Sequence, residues 1–422
     1  MSERVVFLTG ATGLVGSEVL RRYAGADFVR VFAMIRANSS ETLSHRFLDL
    51  LEILRLDSSE AGNITPVRGD VTVRDLGLEP HVATVLAREV TDVIHCATDI
   101  NFGRSLEEAR AVNLLGVVNL TDQVRRWPRV QRVAHVSTAH VAGRRTGVIY
   151  EDELIHSAGF VNAYEQSKYE AEVYLRGLMS DLPIAIYRSS SLVGDSRTGH
   201  VRQFNFLHQT LRLFDTNPST GSGRSLLPAL PGDPDGPVDL IPVDWLVDAL
   251  VYLVDEGFVP GETYHLVAGR EYSLTLGELV DFAVECLEQS LYRTREGPLR
   301  RPDIVDLETF DAMRERADAA GETRQAQVLG ALSHFIPQMA APKAFDRTNT
   351  ERALAGSEVK LPAIKSYFPK VIDYCLMTRW GRVEPDPTNP CEGSRADSGP
   401  AVSSQDETRF IGKAIRNLRK GD

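Results

Sequence analysis

Residues 4–16 decide the fold and read Arg-Val-Val-Phe-Leu-Thr-Gly-Ala-Thr-Gly-Leu-Val-Gly. The run up to Thr9 is short and apolar, as is typical of a buried parallel strand, and a helical pattern follows to Tyr23. The glycines between them are spaced GxxGxxG, which differs from the GxGxxG of many dehydrogenases. Such glycines allow a tight turn, close approach of the backbone to a pyrophosphate, and close packing of the helix on the strand. The segment therefore predicts a dinucleotide site formed by Gly10, Thr12, Gly13, Leu14, Val15 and Gly16.

The alternation of strand and helix continues beyond this segment and predicts the fold class. Short apolar runs alternate with helical patterns, which indicates an α/β fold with a doubly wound, Rossmann-like parallel sheet covered by helices on both faces. After about Arg188 this rhythm breaks, and we expect a smaller, discontinuous C-terminal substrate domain. Residues 214–238 are rich in Gly, Pro, Ser and Asp, and we expect a long loop there beside the substrate. The further predicted strands are 28–35, 64–67, 92–96, 132–137 and 182–187.

Composition excludes several classes of protein. The chain has 422 residues, of which 43% are hydrophobic and 25% charged, so a largely disordered or fibrous chain is excluded. Its 47 basic and 58 acidic residues give a net charge of −11, which argues against nucleic-acid binding. No long uncharged apolar run and no signal-peptide pattern occur, so we expect a soluble cytoplasmic protein. We expect reduced thiols, without disulfides or a zinc site, at the widely separated Cys96, Cys286, Cys375 and Cys391.

Two residues after the predicted second and third strands bear on the choice of nucleotide. An NAD-preferring site usually carries an acidic residue near the end of the second strand, where this chain has Arg36. A guanidinium there would pair with the 2′-phosphate of NADP, so we predict NADP(H) as the cofactor. Asp70 follows the third strand and either accepts a hydrogen bond from the adenine amine or serves only its own turn.

The main catalytic signal is the pair Tyr164 and Lys168. Residues at i and i+4 share a helix face, so the ammonium is expected beside the phenol. A free phenol has a pKa of about 10. A neighbouring ammonium would lower that pKa toward the working range. The pair follows, by about 25 residues, a predicted strand ending in Ser137 and Thr138, whose hydroxyls would hold a substrate carbonyl.

In this order and spacing, the glycine turn, the Ser-Thr strand end and the Tyr/Lys pair resemble the extended short-chain dehydrogenases/reductases. The resemblance implies that Thr138 takes the catalytic hydroxyl position. It also implies that Asn113, in Asn-Leu-Leu-Gly-Val, supports the lysine through water, although Val117 stands where the family usually has Thr. The implied catalytic residues are Thr138, Tyr164, Lys168 and Asn113. The implied cofactor-binding residues are Gly10, Thr12, Gly13, Leu14, Val15, Gly16, Arg36, Asp70, Val71, Ala97, Tyr164 and Lys168, and no metal ligands are implied.

Two further segments resemble one branch of that family, the fatty acyl-CoA reductases and thioester reductase domains. Residues 93–102 read Val-Ile-His-Cys-Ala-Thr-Asp-Ile-Asn-Phe, and residues 187–199 end in Gly-Asp-Ser-Arg-Thr-Gly. Sugar-nucleotide epimerases and dehydratases tend to have Gly-Pro at the latter point. Ser189 departs from the proline that normally follows the arginine here. The resemblance covers about residues 4–275 well, is weaker to 380 and is absent beyond.

This resemblance implies NADPH-dependent reduction of an acyl thioester, to the aldehyde or onward to the alcohol. The substrate would be an acyl-CoA or an acyl group on a carrier protein supplied in trans, and a homodimer is compatible with this interpretation. The alternatives are a sugar-nucleotide epimerase or dehydratase, a sterol-type alcohol dehydrogenase, and a non-catalytic dinucleotide sensor. We expect His95 and His135 to be packed beneath the cofactor, whereas His140 is a candidate for lining the pocket.

These patterns divide the chain into four predicted parts. Residues 1–190 form the NADP-binding domain, with returning segments from about 235–270. Residues 191–383 form the substrate region and a helical lid. Residues 384–407 have the composition of a disordered linker. Residues 408–422 form a basic amphipathic tail, suited to an anionic membrane surface or an acidic carrier protein; the alternatives are docking on its own domain or disorder.

Overall fold

A seven-stranded, all-parallel sheet organises the protein in a computed structural model that describes residues 3–215, 227–294, 297–321, 323–332 and 342–383. The strand order is β12-β7-β5-β4-β1-β2-β3, so the predicted doubly wound, Rossmann-like sheet is confirmed. The strands are β1 (Arg4–Thr9), β2 (Val29–Ile35), β3 (Ile64–Arg68), β4 (Asp92–His95), β5 (Arg132–Thr138), β6 (Gly147–Ile149), β7 (Ile184–Ser189), β8 (Ser191–Leu192), β9 (Ala229–Pro231), β10 (Pro237–Val238), β11 (Leu240–Ile241), β12 (Thr263–Leu266), β13 (Leu274–Thr275), β14 (Asp303–Val305) and β15 (Lys343–Phe345).

Helices cover both faces of the sheet because successive side chains of a strand point to opposite faces. In β1, Val6 and Leu8 pack on the face that also buries Trp245. Val5 and Phe7 pack on the other face, where Phe7 meets Trp127 edge-on. The helices are α1 (Leu14–Tyr23), α2 (Ser40–Leu54), α3 (Pro80–Glu89), α4 (Leu106–Asn113), α5 (Leu115–Val124), α6 (Ala163–Arg176), α7 (Phe206–Asp215), α8 (Val243–Asp255), α9 (Gly269–Tyr272), α10 (Leu276–Gln289), α11 (Leu307–Ala319), α12 (Thr323–Leu332), α13 (Thr348–Leu354) and α14 (Ile364–Met377).

A second hydrophobic core lies beyond the sheet and involves α7, α10, α11 and α14. It buries Leu211, Val280, Phe310 and Phe368, among others. Short strand pairs join this region to the rest: β11 pairs with β8, and β10 with β13. The second core therefore stands next to the end of β7, which pairs with β5 in the sheet.

Some sequence-based expectations need adjustment. The long loop expected over residues 214–238 is wrong in part, because β9 and β10 lie within it, while residues 216–226 fall outside the described residues. The predicted linker (384–407) and basic tail (408–422) also lie outside them, as does Cys391. Within the described part of the chain, no helix has the length and apolar character needed to cross a membrane.

Candidate active site

The glycine-rich turn between β1 and α1 is shaped for close approach of a ligand. Gly10 has φ +69, and a Cβ there would stand 2.5 Å from the backbone nitrogen of Ala97. A Cβ on Gly16 would collide with the carbonyl oxygen of Gly10, so both positions require glycine. Gly13 caps α1 without a side-chain hydrogen bond, which leaves the first-turn N–H groups to a ligand. These features fit a dinucleotide pyrophosphate.

One cavity of about 620 Å³ joins this turn to the predicted catalytic residues. It runs from the turn past the ends of β1, β4 and β5 and continues between α7 and α10. Asn113 is not among its lining residues. The predicted site residues that line it are Gly10, Thr12, Gly13, Leu14, Val15, Gly16, Arg36, Asp70, Val71, Ala97, Thr138, Tyr164 and Lys168.

Two arginines lie at the far corner of this cavity, beyond the end of β2. Arg36 is exposed, and Arg46 of α2 donates a hydrogen bond to its carbonyl oxygen. Arg46 also lines the cavity, and sequence reasoning missed it because Arg46 belongs to no recognised motif. Asp70 accepts hydrogen bonds from the backbone nitrogen and hydroxyl of Thr72, at 2.9 and 2.8 Å, so one of its oxygens serves its own turn.

A third arginine reaches the glycine-rich turn from the segment before α7. Arg202 donates to the carbonyl oxygen of Thr12 at 3.1 Å and also bonds the hydroxyl of Ser17 in α1. The contact spans nearly two hundred positions of sequence, and no spacing pattern predicted it. It places a cation beside the positive end of α1, a combination that favours an anionic ligand.

Tyr164 stands at the start of α6, in the interior of the cavity. A hydrogen bond links its hydroxyl to that of Thr138, and Phe102 packs edge-on against its ring at 5.5 Å. Burial raises the pKa of Tyr164 to about 12, and the Thr138 hydroxyl opposes this only in part. The phenol therefore keeps its proton across the neutral range and is a hydrogen-bond donor.

Lys168 lies one helical turn later, and its ammonium is directed to the sheet. It donates to the carbonyl oxygen of Val136 at 2.9 Å and contacts Nε2 of His135 at 3.2 Å. Burial lowers its pKa to about 8, against the opposing charge of Glu172. In this geometry burial is the largest influence on the pKa of Tyr164, followed by Thr138 and Glu165. The lowering of that pKa by Lys168 stays a prediction.

Asn113 is buried at the end of α4, and its amide is fully engaged. The amide oxygen accepts from the hydroxyl of Thr98 at 3.0 Å and the backbone nitrogen of Asp99 at 2.8 Å. The amide nitrogen donates to the carbonyl oxygen of Asp99 and, at 2.9 Å, to the hydroxyl of Ser167. Its side chain thus joins the segment after β4 to α6 and does not reach Lys168; support through water stays a prediction.

A buried ion pair holds α6 against β7, which neighbours β5 in the sheet. Glu172 accepts hydrogen bonds from Arg188 of β7, with 2.7 Å to Nη2, and both side chains are almost fully buried. The hydroxyl of Ser137 also donates to Glu172. Glu172 follows Lys168 by four residues, so this cluster fixes the helix face that carries the lysine. The i+4 spacing was the sequence signal that would have pointed to Glu172.

Beyond Tyr164 the cavity becomes apolar, and we call this part the apolar arm. Its walls are one face of α7 and one face of α10, with residues at helical spacing. Thr210 is a polar side chain in the α7 wall. The arm is lined by Phe206, Leu207, Leu211 and Phe214 of α7 and by Leu276, Leu279, Val280 and Ala283 of α10.

Known proteins resemble this chain in fold and, at low identity, in sequence. The model of the Male sterility protein family matches residues 8–250. The terminal R domain of the myxalamid PKS-NRPS biosynthetic pathway superposes with a TM-score of 0.74 at 25% identity, covering 91% of this chain and 93% of that one. The family match spans the glycine-rich turn, the catalytic strand and α6.

Curated relatives extend the comparison. A linear gramicidin synthase of Brevibacillus parabrevis is 24% identical over 398 residues, which cover 92% of this chain but 7% of that protein. Probable fatty acyl-CoA reductase 5 of Arabidopsis thaliana is 20% identical over 371 residues, covering 71% of this chain and 73% of that protein. The chain therefore spans a small part of one relative and most of the other.

Proposed function

The chain belongs to the Male sterility protein family and is an NAD(P)-dependent oxidoreductase of the extended short-chain dehydrogenase/reductase type, and from this premise we propose that it reduces acyl thioesters with NADPH. One observation carries the proposal. The Tyr164–Thr138 pair stands where the dinucleotide end of the cavity meets the apolar arm. A carbonyl placed there would have hydroxyl donors on one side and room for a hydrocarbon chain on the other.

The residues present can support hydride reduction of a thioester. When bound, the nicotinamide supplies the hydride that adds to the carbonyl carbon. Tyr164 and Thr138 hydrogen-bond the carbonyl oxygen as negative charge develops on it, where preorganised donors are most effective. Because burial raises the pKa of Tyr164 to about 12, the phenol is protonated and can deliver its proton to that oxygen. The resulting hemithioacetal collapses to aldehyde and thiol.

The choice of NADPH over NADH rests on the two arginines beyond β2. Arg36 and Arg46 line the same corner of the cavity, where the ribose end of a dinucleotide laid along the glycine-rich turn would lie. Guanidinium groups pair strongly with phosphate, whereas an unmodified ribose gains little from them. Arg202 adds a third cation, beside the turn that would hold the pyrophosphate.

The apolar arm favours an acyl group over a sugar nucleotide. A sugar and its diphosphate present many hydroxyls and charges, and burying those against leucine and phenylalanine without partners is costly. A hydrocarbon chain instead gains free energy from leaving water. The names of the relatives also support an acyl substrate, since they include an R domain from a PKS-NRPS pathway and a probable fatty acyl-CoA reductase. We infer that the thiol of the substrate belongs to coenzyme A or to a carrier protein.

A direct assay separates the two substrate classes. Purified protein is incubated with NADPH and either a series of acyl-CoAs and acyl-carrier proteins or a set of UDP- and TDP-sugars, and products are identified by mass spectrometry. We expect aldehyde or alcohol, together with free thiol, from the acyl thioesters. Turnover of a nucleotide sugar, with every thioester left intact, would replace this proposal by an epimerase or dehydratase.

A further inference from the structure

A row of polar side chains crosses the sheet beneath the active site. Thr9 of β1, His95 of β4 and His135 of β5 are neighbours at one register of three adjacent strands. All three are buried, at or below 1% exposure. Residues at one register share a face of the sheet, so the three side chains lie side by side on the face that α6 covers. His135 ends the row beneath Lys168 of α6.

Short contacts connect the row. The hydroxyl of Thr9 and Nδ1 of His95 are 2.6 Å apart, and the rings of His95 and His135 stack with 5.2 Å between centroids. Nε2 of His135 then lies 3.2 Å from the ammonium of Lys168, whose second bond goes to the carbonyl oxygen of Val136 at 2.9 Å. The imidazole of His135 thus stacks on the ring of His95, and its Nε2 edge contacts Lys168.

The chemistry of the two groups fixes their roles. An ammonium has three N–H donors and no acceptor, so Nε2 of His135 must present its lone pair and the ring proton must sit on Nδ1. Among the described residues, His135 and Val136 accept hydrogen bonds from two of the three N–H donors of Lys168. The third is left for the cavity that Lys168 lines. We propose that His135 is a positioning residue, which accepts a hydrogen bond from Lys168 and so holds the charged ammonium at the sheet with its third N–H donor left for the cleft.

The surrounding charges are consistent with this role. Burial and the nearby ammonium lower the pKa of His135 well below its ordinary value, so the ring stays neutral and does not repel the lysine. The other titratable groups that act on Lys168 or His135 are Glu172, Cys96 and His95. Burial raises the pKa of the Cys96 thiol to about 12 and lowers that of His95 to about 3, so both are neutral in the working range. Glu172 is the remaining counter-charge.

The test compares two replacements of His135, one with a hydrogen-bond acceptor and one without. His135→Gln can place an amide oxygen near the position of Nε2, whereas His135→Leu cannot accept a hydrogen bond. His135→Leu should lower kcat roughly tenfold or more and weaken NADPH binding, the effect of losing a bond to a charged group. Its loss of activity at alkaline pH should begin about one pH unit lower, because the ammonium has lost a partner. His135→Gln should restore most of the activity, the NADPH affinity and the position of the alkaline limb. His95→Asn keeps an acceptor toward Thr9 and should leave the alkaline limb in place.

The NADPH dissociation constant is measured by titration and the unfolding temperature serves as the folding control. A folded His135→Leu protein with the same NADPH affinity, kcat and alkaline limb as the parent would overturn the proposal. The NADPH titration rests on the proposed function only through the cofactor, whereas kcat and the alkaline limb also require the proposed substrate. A wrong substrate class would leave the binding result intact, so the two failures are distinguishable.

A second measurement does not depend on any variant folding. The ¹⁵N chemical shifts of the imidazole in histidine-labelled protein report which ring nitrogen carries the proton. The proposal requires the Nδ1–H form of His135, with Nε2 as acceptor. A protonated Nε2 would overturn it even if His135→Leu does not fold, and His135→Gln identifies the signal by its loss.

Discussion

The amide nitrogen of Asn113 donates a hydrogen bond of 2.9 Å to the hydroxyl of Ser167, the residue directly before the active-site lysine. The same amide holds the backbone of Asp99, which follows β4. The end of α4, the loop after β4 and the first turns of α6 are therefore joined through one side chain. The geometry assigns Asn113 to the support of α6.

We expect Asn113→Ala to destabilise the protein and lower activity indirectly. Each buried group left unpaired costs about 1–3 kcal/mol, and this change strands several of them. The free energy of unfolding, measured by denaturant titration, should fall accordingly, while the alkaline limb of the pH profile stays in place. A stable Asn113→Ala protein whose alkaline limb moves would instead favour support of Lys168 through water.

Tyr164→Phe should abolish most turnover without affecting the fold. The change removes the hydroxyl that meets Thr138 and nothing of the ring that packs on Phe102. Loss of a general acid-base group typically costs about a hundredfold or more in kcat. Tyr150→Phe is the matched control, since Tyr150 is half exposed and lies outside the cavity. Near-normal turnover by folded Tyr164→Phe would exclude the phenol as the proton donor.

Arg36→Ala and Arg46→Ala should each weaken NADPH binding while leaving NADH binding almost unchanged. A charge-assisted hydrogen bond is worth roughly 1.5–3 kcal/mol, or about ten- to a hundredfold in affinity. Arg74→Ala, at a largely exposed side chain away from the cavity, controls for the general loss of positive charge. Equal weakening of both nucleotides would show that the 2′-phosphate is held elsewhere.

The rate should fall as pH rises through about 8, where burial sets the pKa of Lys168. Burial depresses this pKa, so the ammonium is present below it and is lost above it, while Tyr164 remains protonated throughout. The alkaline limb of kcat/KM, which reports groups of the free enzyme, measures this directly. In Lys168→Arg the cation does not deprotonate, so its residual activity should show no such limb. A limb that persists in Lys168→Arg would have to come from another group.

Much of the fold could be predicted from local sequence, because the decisive signals are local. The apolar run to Thr9, the glycines after it and the helix from Leu14 to Tyr23 all fall within one short segment, and the structure has that helix at Leu14–Tyr23. The Tyr164 and Lys168 pair is likewise a matter of spacing within one helix. Family and fold were accordingly confirmed.

Contacts between distant segments could not be predicted in this way. Arg202 reaches the glycine-rich turn, and His135 meets Lys168, only because the sheet and its connections bring them together. Spacing predicts that Lys168 lies near Tyr164, but not that burial raises the pKa of the phenol. A usable signal did exist for His95 and His135, since His95 lies near the end of one predicted strand and His135 lies within the next strand along the chain.

The apolar arm also arises from tertiary structure, and it leads to a prediction about chain length. Its α10 wall begins at Leu276, next to β10 and β11, and β11 pairs with β8 directly after Ser190. From these pairings we infer that Leu276 marks the cleft side of the wall and Ala283, further along the helix, its far end. The two are seven residues apart, which is about 10 Å along the helix axis. An extended chain advances about 1.2 Å per bond, so the arm accommodates roughly eight carbons.

Ala283→Leu should therefore shorten the range of acyl chains that the enzyme reduces. The larger side chain fills the far end of the arm, so thioesters longer than about eight carbons should lose kcat/KM roughly tenfold or more, as expected when a few methylenes no longer fit. Shorter chains do not reach Ala283 and should react as before. Leu279→Ala widens the same wall and serves as the opposite control, since it should relax selection among bulky or branched chains. Unfolding temperatures show whether either change merely destabilises the second core. If Ala283→Leu lowers kcat/KM equally for short and long acyl-CoAs in a folded protein, the acyl chain does not lie between α7 and α10.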